Sequence, residues 1–255
     1  MTTPLYILRA APDRPGLAAW AATHGLLGRD GELGYALHAA LTAAFGELAP
    51  RPFRLYERRP RRRSEPVADD PVLYAYSRQP AALLLERARA ADPTLWDPLG
   101  LDHLKGKPMP TAHPASARRG FEVRVRPVRR RERPNGTNER DVFLIACDRV
   151  DAATPVDRAE VYSAWLDEQF VEGGARLVRV PSEAGSRSCC RLDAFRRARV
   201  ARRDASRRLR WVEGPDAIMS GVLEVTDPDA FARVLARGIG RHRAFGFGML
   251  LLRPA

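Results

Sequence analysis

The chain has 255 residues, 45% of them apolar, and a formal net charge of +12, with an isoelectric point near 10.6. That apolar content supports ordinary cores, and the length suits one large domain or two small ones. No apolar run reaches the roughly 18 residues of a transmembrane helix, and the positive excess favours a polyanionic partner, nucleic acid before a membrane surface.

Nearly all of the positive charge is arginine; Lys105 and Lys107 are the only lysines. The first residues, Met1-Thr2-Thr3-Pro4-Leu5, lack the charged and apolar regions of a signal peptide. Cys147, Cys189 and Cys190 form neither a disulfide framework nor a Cys-x-x-Cys pair. They are expected as reduced thiols in a cytoplasmic protein. The five histidines are scattered without ligand spacing, so no metal and no cofactor is expected.

In chain order, residues 5–9 predict a short buried strand and residues 17–24 a helical turn or two. Residues 32–45 predict a helix: Leu33, Leu37, Ala40, Leu41 and Ala44 recur at three- and four-residue steps. Asp30 is its expected cap and Gly46 its end. Strands follow at 52–56 and 72–76, joined by a basic loop at 58–63, and then a helix at 80–91. This strand–helix–strand–strand–helix order predicts a ferredoxin-like βαββαβ domain. Residues 121–126 alternate strictly and predict a half-exposed strand with an arginine face, placed within a first domain spanning 1–128. Its role, closing the first domain or opening the second, stays open. Residues 129–152 read as a charged linker.

The second half, 153–255, opens with a helix at 155–170, ended by Gly173-Gly174, and a strand at 175–180. Residues 191–210 hold nine arginines in twenty positions. Asp204-Ala205-Ser206 near their middle predicts a basic β-hairpin. A strand at 221–226 and a helix at 228–237 follow. The fold class expected is therefore α+β: two tandem ferredoxin-like (RRM-like) domains with antiparallel sheets.

The chain culminates in Arg237-Gly238-Ile239-Gly240-Arg241-His242-Arg243-Ala244-Phe245-Gly246-Phe247-Gly248, ahead of an apolar strand. Such glycine density permits positive φ and close approach of another molecule. Successive peptide N–H groups can line an anion site, and the interleaved arginines supply bidentate donors for phosphate. The loop precedes a strand rather than a helix, so it is neither a P-loop nor a Rossmann turn.

Tyr35 and His38 lie three apart on the predicted first long helix and so share a face. A helical histidine is most often structural. A phenol one turn away points the other way, because imidazole suits acid–base work near neutral pH. RNA carries its own nucleophile, the ribose 2′-hydroxyl. A basic chain without a carboxylate cluster suits metal-free cleavage of RNA better than two-metal hydrolysis.

The Gly-rich ending resembles the C-terminal loop of the CRISPR repeat-processing endoribonucleases. The Tyr35-Ala36-Leu37-His38 element, residues 139–144, the Arg-rich hairpin and residues 221–228 resemble the CasE subfamily of type I-E systems. The resemblance implies two tandem ferredoxin-like domains. It implies metal-independent cleavage of precursor CRISPR RNA at the base of the repeat hairpin, leaving a 5′-hydroxyl and a 2′,3′-cyclic phosphate. It also implies retention of the hairpin within the Cascade surveillance complex, beside the backbone subunit at the 3′ end of the guide, with no membrane role. His38 would be catalytic, with Tyr35 orienting the reacting phosphate or ribose. RNA contacts would come from Arg191, Arg196, Arg197, Arg199, Arg202, Arg203, Arg207 and Arg208. Gly238, Gly240, Arg241, Arg243, Gly246 and Gly248 would support the strand near the cut. His242 ranks below His38 as a second imidazole. Two alternatives stand beside this reading: a non-catalytic RNA-hairpin scaffold of the same fold, and a ribosome-associated module.

Overall fold

The computed structural model describes residues 4–27, 33–56, 71–110, 112–133, 136–151, 153–182, 185–203 and 209–255. For 131–133, 136–138, 201–203, 209 and 210 it describes the backbone alone. Two compact units are present. One comprises 1–111, 200–211 and 244–246; the other comprises 112–199, 212–243 and 247–255.

The first unit runs β1 (Tyr6–Ala10), α1 (Arg14–Thr23), α2 (Gly34–Phe45), β2 (Phe53–Tyr56), β3 (Val72–Ser77), α3 (Ala81–Ala91) and β4 (Lys105–Pro108). Its sheet order is β2-β3-β1-β4, antiparallel throughout. This is a ferredoxin-like sheet. Asp13 caps α1 by accepting the Gly16 N–H at 2.9 Å, which satisfies one donor the first turn leaves unpaired. On α2, Leu37, Leu41, Ala44 and Phe45 are buried. They pack with Leu8, Ala10, Leu73 and Ala75 from the sheet in one core. Burial of each large side chain there contributes about 1.5–3 kcal/mol. Helix α2 starts at Gly34; the expected cap, Asp30, lies outside the described residues, as does the basic loop at 58–63.

The second unit runs β5 (Arg118–Val125), β6 (Val128–Arg133), β7 (Gly136–Asp141), α4 (Val142–Cys147), α5 (Arg158–Glu172), β8 (Ala175–Leu177), β9 (Arg179–Ser182), β10 (Gly185–Ser188), β11 (Cys190–Arg203), β12 (Leu209–Val225), α6 (Pro228–Arg237) and β13 (Leu250–Arg253). Its sheet order is β11-β12-β5-β13, with β8 also on β12. With β8 and β11 as one divided arm, the strand order repeats that of the first unit. The expected hairpin at 191–210 and the expected strand at 221–226 are continuous: β12 runs unbroken from one into the other. Asp227 caps α6 with two hydrogen bonds of 3.0 Å. Its apolar side, Phe231, Val234 and Leu235, is buried.

Two segments differ from the sequence reading. Residues 121–125 belong to β5 at the centre of the second sheet, with Arg126 just past its end, and β4 closes the first. Arg124 and Arg126 are 8% and 1% exposed, so the arginine face of β5 is an interior face. Residues 129–152, expected as a linker, form the β6–β7 hairpin, with Val128 opposite Asp141, followed by α4. Among the described residues, no helix is long and apolar enough to cross a membrane.

Candidate functional site

Helix α2 positions the first candidate group. Its apolar stripe faces the core, which turns Tyr35 and His38 towards one side. Phe245, from the short turn Arg243–Phe245, meets both rings. The His38 ring stands edge-on to Phe245 at 5.3 Å, and Tyr35 lies 5.6 Å from Phe245 and 6.2 Å from His38. Tyr35 is 8% exposed, while His38 is half-buried. Among the described residues, no hydrogen bond engages the His38 ring nitrogens. Burial lowers the His38 pKa below 6.5, and the Arg51 charge lowers it further. The imidazole is therefore neutral at pH 7, with lone-pair capacity at hand.

The Gly-rich loop is built differently. Gly238, Gly240, Gly246 and Gly248 all take positive φ, and so does His242 at 59°. At Gly248 the requirement is absolute: a Cβ there would lie 2.2 Å from the Ile239 carbonyl oxygen. At Gly240 it would press on Trp165 at 3.1 Å. The loop closes on itself through the Ile239 N–H donating to Gly248, and onto β5 through the Gly248 N–H donating to Arg124.

Glu139 on β7 holds the loop's centre. His242 Nε2 donates to Glu139 Oε2 at 2.7 Å, and Arg241 Nε donates to Oε1 at 2.5 Å. The His242 and Glu139 side chains are only 4% and 8% exposed. Burial alone would raise the Glu139 carboxyl; the hydrogen bonds and charges of His242 and then Arg241 override it and hold it at about 2. Arg243 sits in a crowded cationic setting: burial, then Arg237 and Arg241, lower its pKa. A cluster of arginines with one carboxylate among them suits a phosphate.

Among the described residues, the four arginines of the basic hairpin whose side chains are given are all paired with carboxylates. Arg191 pairs with Asp193 at 2.5 Å, and Arg196 with Asp216 at 2.7 Å. Arg197 and Arg199 share Glu213 at 3.0 and 3.7 Å. Arg202 and Arg203 lie on β11, but their side chains fall outside the description; Arg207 and Arg208 lie outside the described residues altogether. Below this surface, Arg124 forms a bidentate pair with Asp216, both bonds 2.7 Å. It also stacks on Phe247 at 4.3 Å. Burial alone would raise Asp216; Arg124, then Arg196, hold it below its usual value. Arg126 donates to the carbonyls of Ala198 and Val212 at 3.4 and 3.3 Å, so it ties β11 to β12 from beneath.

Sequence reasoning missed Glu139, Phe245, Arg124 and Asp216 as site-building groups. The strict Val–Arg alternation of 121–126 reads as a solvated face, and Glu139 and Phe245 stood only within the stretches that carry the family resemblance. Among the described residues, no three His, Cys, Asp or Glu side chains gather as metal ligands.

The chain was compared with known proteins. At 26% identity over 179 residues, it matches the CRISPR-associated endoribonuclease Cse3 of Thermus thermophilus, covering 69% of this chain and 74% of that one. A structure of Cse3 bound to a 19-nucleotide RNA superposes with a TM-score of 0.62 at 18% identity, covering 98% of this chain and all of that one. Thermus thermophilus Cse3 bound to an RNA representing a pre-cleavage complex gives 0.61 at 18%, covering 98% and 100%. A chain of a CRISPR RNA-guided surveillance complex gives 0.52 at 16%, covering 98% and 100%. These likenesses establish the shared fold of tandem ferredoxin-like domains. The family model described as CRISPR associated protein matches residues 5–254, nearly end to end, and the chain belongs to that family.

Proposed function

We propose that this protein is a metal-independent endoribonuclease. It cleaves precursor CRISPR RNA at the base of the repeat hairpin and keeps the product as a subunit of a surveillance complex. The observation that carries the reading is His38: a half-buried imidazole, held neutral, on a helix face shared with Tyr35 and lined by Phe245. The similarity to Cse3, an endoribonuclease with RNA-bound structures, supports it.

The chemistry follows from the proton inventory. The ribose 2′-hydroxyl attacks the adjacent phosphorus, and neutral His38 accepts its proton. The P–O5′ bond breaks, O5′ leaves and takes up a proton, and a 2′,3′-cyclic phosphate remains. General base assistance of this kind contributes about 10²–10⁴-fold. Tyr35, nearly buried, serves as a positioning residue that holds the His38–Phe245 pair. The arginines of the Gly-rich loop and hairpin hold phosphates; A-form RNA is read mostly by shape, phosphates and 2′-hydroxyls.

The test is cleavage of the repeat RNA from the same genome in EDTA, with and without a 2′-deoxy substitution at the scissile nucleotide. A single cut at the stem base, lost on the deoxy substrate and lost in His38→Ala with RNA binding intact, is the expected result. Tight binding without any cut would instead favour the scaffold reading.

A further inference from the structure

The outer face of the first unit's sheet has no role in the reading above. In an antiparallel sheet, directly opposed residues share a face. Leu8, Ala75, Phe53 and Leu73 point towards the helices and lie in the core. Their neighbours therefore point away from it. Arg54 is opposite Tyr74, Tyr74 opposite Arg9, and Arg9 opposite Lys105. One row thus crosses all four strands as Arg54, Tyr74, Arg9 and Lys105.

Beside that row, Tyr56 meets Tyr74 edge-on at 5.9 Å, and the Arg54 guanidinium lies 4.9 Å over the Tyr56 ring. Arg9, Lys105 and Lys107 are exposed, and both tyrosines are half-exposed. Among the described residues, no carboxylate pairs with Arg9, Lys105 or Lys107. The next row differs. Tyr76 there is fully buried while Lys107 is exposed, and in the first row Arg54 is buried, so the open surface runs from the half-exposed tyrosines across Arg9 to Lys105 and Lys107.

We propose that this face binds single-stranded RNA, with bases stacking on Tyr74 and Tyr56 and phosphates lying on Arg9, Lys105 and Lys107. A ring on the central strand β3 and another on the edge strand β2, flanked by cations, suit an unpaired strand, because every base offers a π-face and the backbone is a line of negative charge. A duplex hides its base faces and cannot use the tyrosines. The surface thus takes the unpaired RNA flanking a hairpin. The inference deepens the endoribonuclease reading but is tested apart from cleavage.

The probe is a labelled ten-nucleotide single-stranded RNA of mixed sequence, titrated by fluorescence anisotropy against the whole protein. Arg9→Glu/Lys105→Glu should weaken binding by about tenfold or more, since each phosphate contact contributes through released counterions. Tyr74→Leu should weaken it at least about fivefold, while Tyr74→Phe keeps it, because stacking needs the ring and not the hydroxyl. Binding of a blunt repeat hairpin should not change in any of these variants. A measurement without substitutions guards against misfolding. Lys105 and Lys107 are the only lysines, so amine acetylation read by mass spectrometry reports on this face directly. Saturating single-stranded RNA should protect both. Unchanged affinity in the charge-reversed variant, full acetylation with RNA bound, or no binding by wild type would each overturn the proposal. Loss of repeat cleavage in EDTA with this protection intact would sink the nuclease reading and leave this one standing.

Discussion

His38 and His242 are the same side chain in two opposite situations. His38 is half-buried among aromatic rings, with its nitrogens unengaged among the described residues and its pKa lowered by burial and by Arg51. His242 is buried, sits at φ 59°, and donates to a carboxylate whose other oxygen is taken by Arg241. The first arrangement keeps a base available, and the second spends the imidazole on shape. An imidazole in a Gly-rich loop is the more conspicuous candidate in a sequence, yet the partner decides the role.

The largest effect should separate the two at once. His38→Ala should lower single-turnover cleavage of the repeat by about 10²–10⁴-fold with RNA affinity held within about twofold. His242→Ala should cut at near the wild-type rate once folded. Equal losses in both would break the comparison. A smaller effect concerns stability. Glu139→Ala leaves the buried His242 donor unmet and should cost about 1–3 kcal/mol in urea unfolding, whereas His38→Ala should cost less. The same tie carries a sign with pH. The Glu139 carboxyl is held at about 2, below its unfolded value of 4.5. Its contribution is therefore complete above pH 4.5 and is lost as pH falls from there towards 2. In Glu139→Gln that part of the acid sensitivity should vanish.

His242 also sharpens the comparison through its backbone. A non-glycine residue in the left-handed region costs about 1–2 kcal/mol, so His242→Gly should be more stable than His242→Ala. The smallest effect is on the rate profile. His38 must be neutral to act as base, so cleavage should rise with pH along a limb centred below 6.5. Arg51→Gln should move that limb upwards by under about one pH unit. It should still lie below 6.5, because burial is the larger cause. A limb at or above 6.5 in wild type would remove His38 from the base role.

The helices were legible because their patterns are local, and Gly46 ends α2 where the stripe stops. Asp227, which caps α6 within one turn, was not singled out. The strand order of the first unit was legible for a similar reason, since short turns and crossovers leave few alternatives. The candidate site was legible only in part. Tyr35 and His38 share a helix face by spacing alone, but Phe245 arrives from far along the chain. Arg124 meets Asp216 across 92 residues, and His242 meets Glu139 across 103. No local pattern reports such pairs. The Arg–Val alternation of β5 therefore read as a wet face, although it is a dry one, with Arg124 held by Asp216 and Arg126 by backbone carbonyls. The β6–β7 hairpin was missed because its strands are nearly all polar and carry no apolar alternation to read.

The shared carboxylates of the basic hairpin bear on how binding responds to ionic strength. Glu213 serves two arginines, and Asp216 serves one at the surface and one beneath it. Exposed pairs of this kind are worth about 0–1 kcal/mol and exchange readily. A phosphate that takes Arg197 or Arg199, as the proposed RNA contact requires, displaces a carboxylate as well as a cation from the nucleic acid. Salt then weakens both the pair that is broken and the contact that is made. The described part of this arginine-dense strand should accordingly show a flatter dependence on salt than its number of guanidinium groups implies.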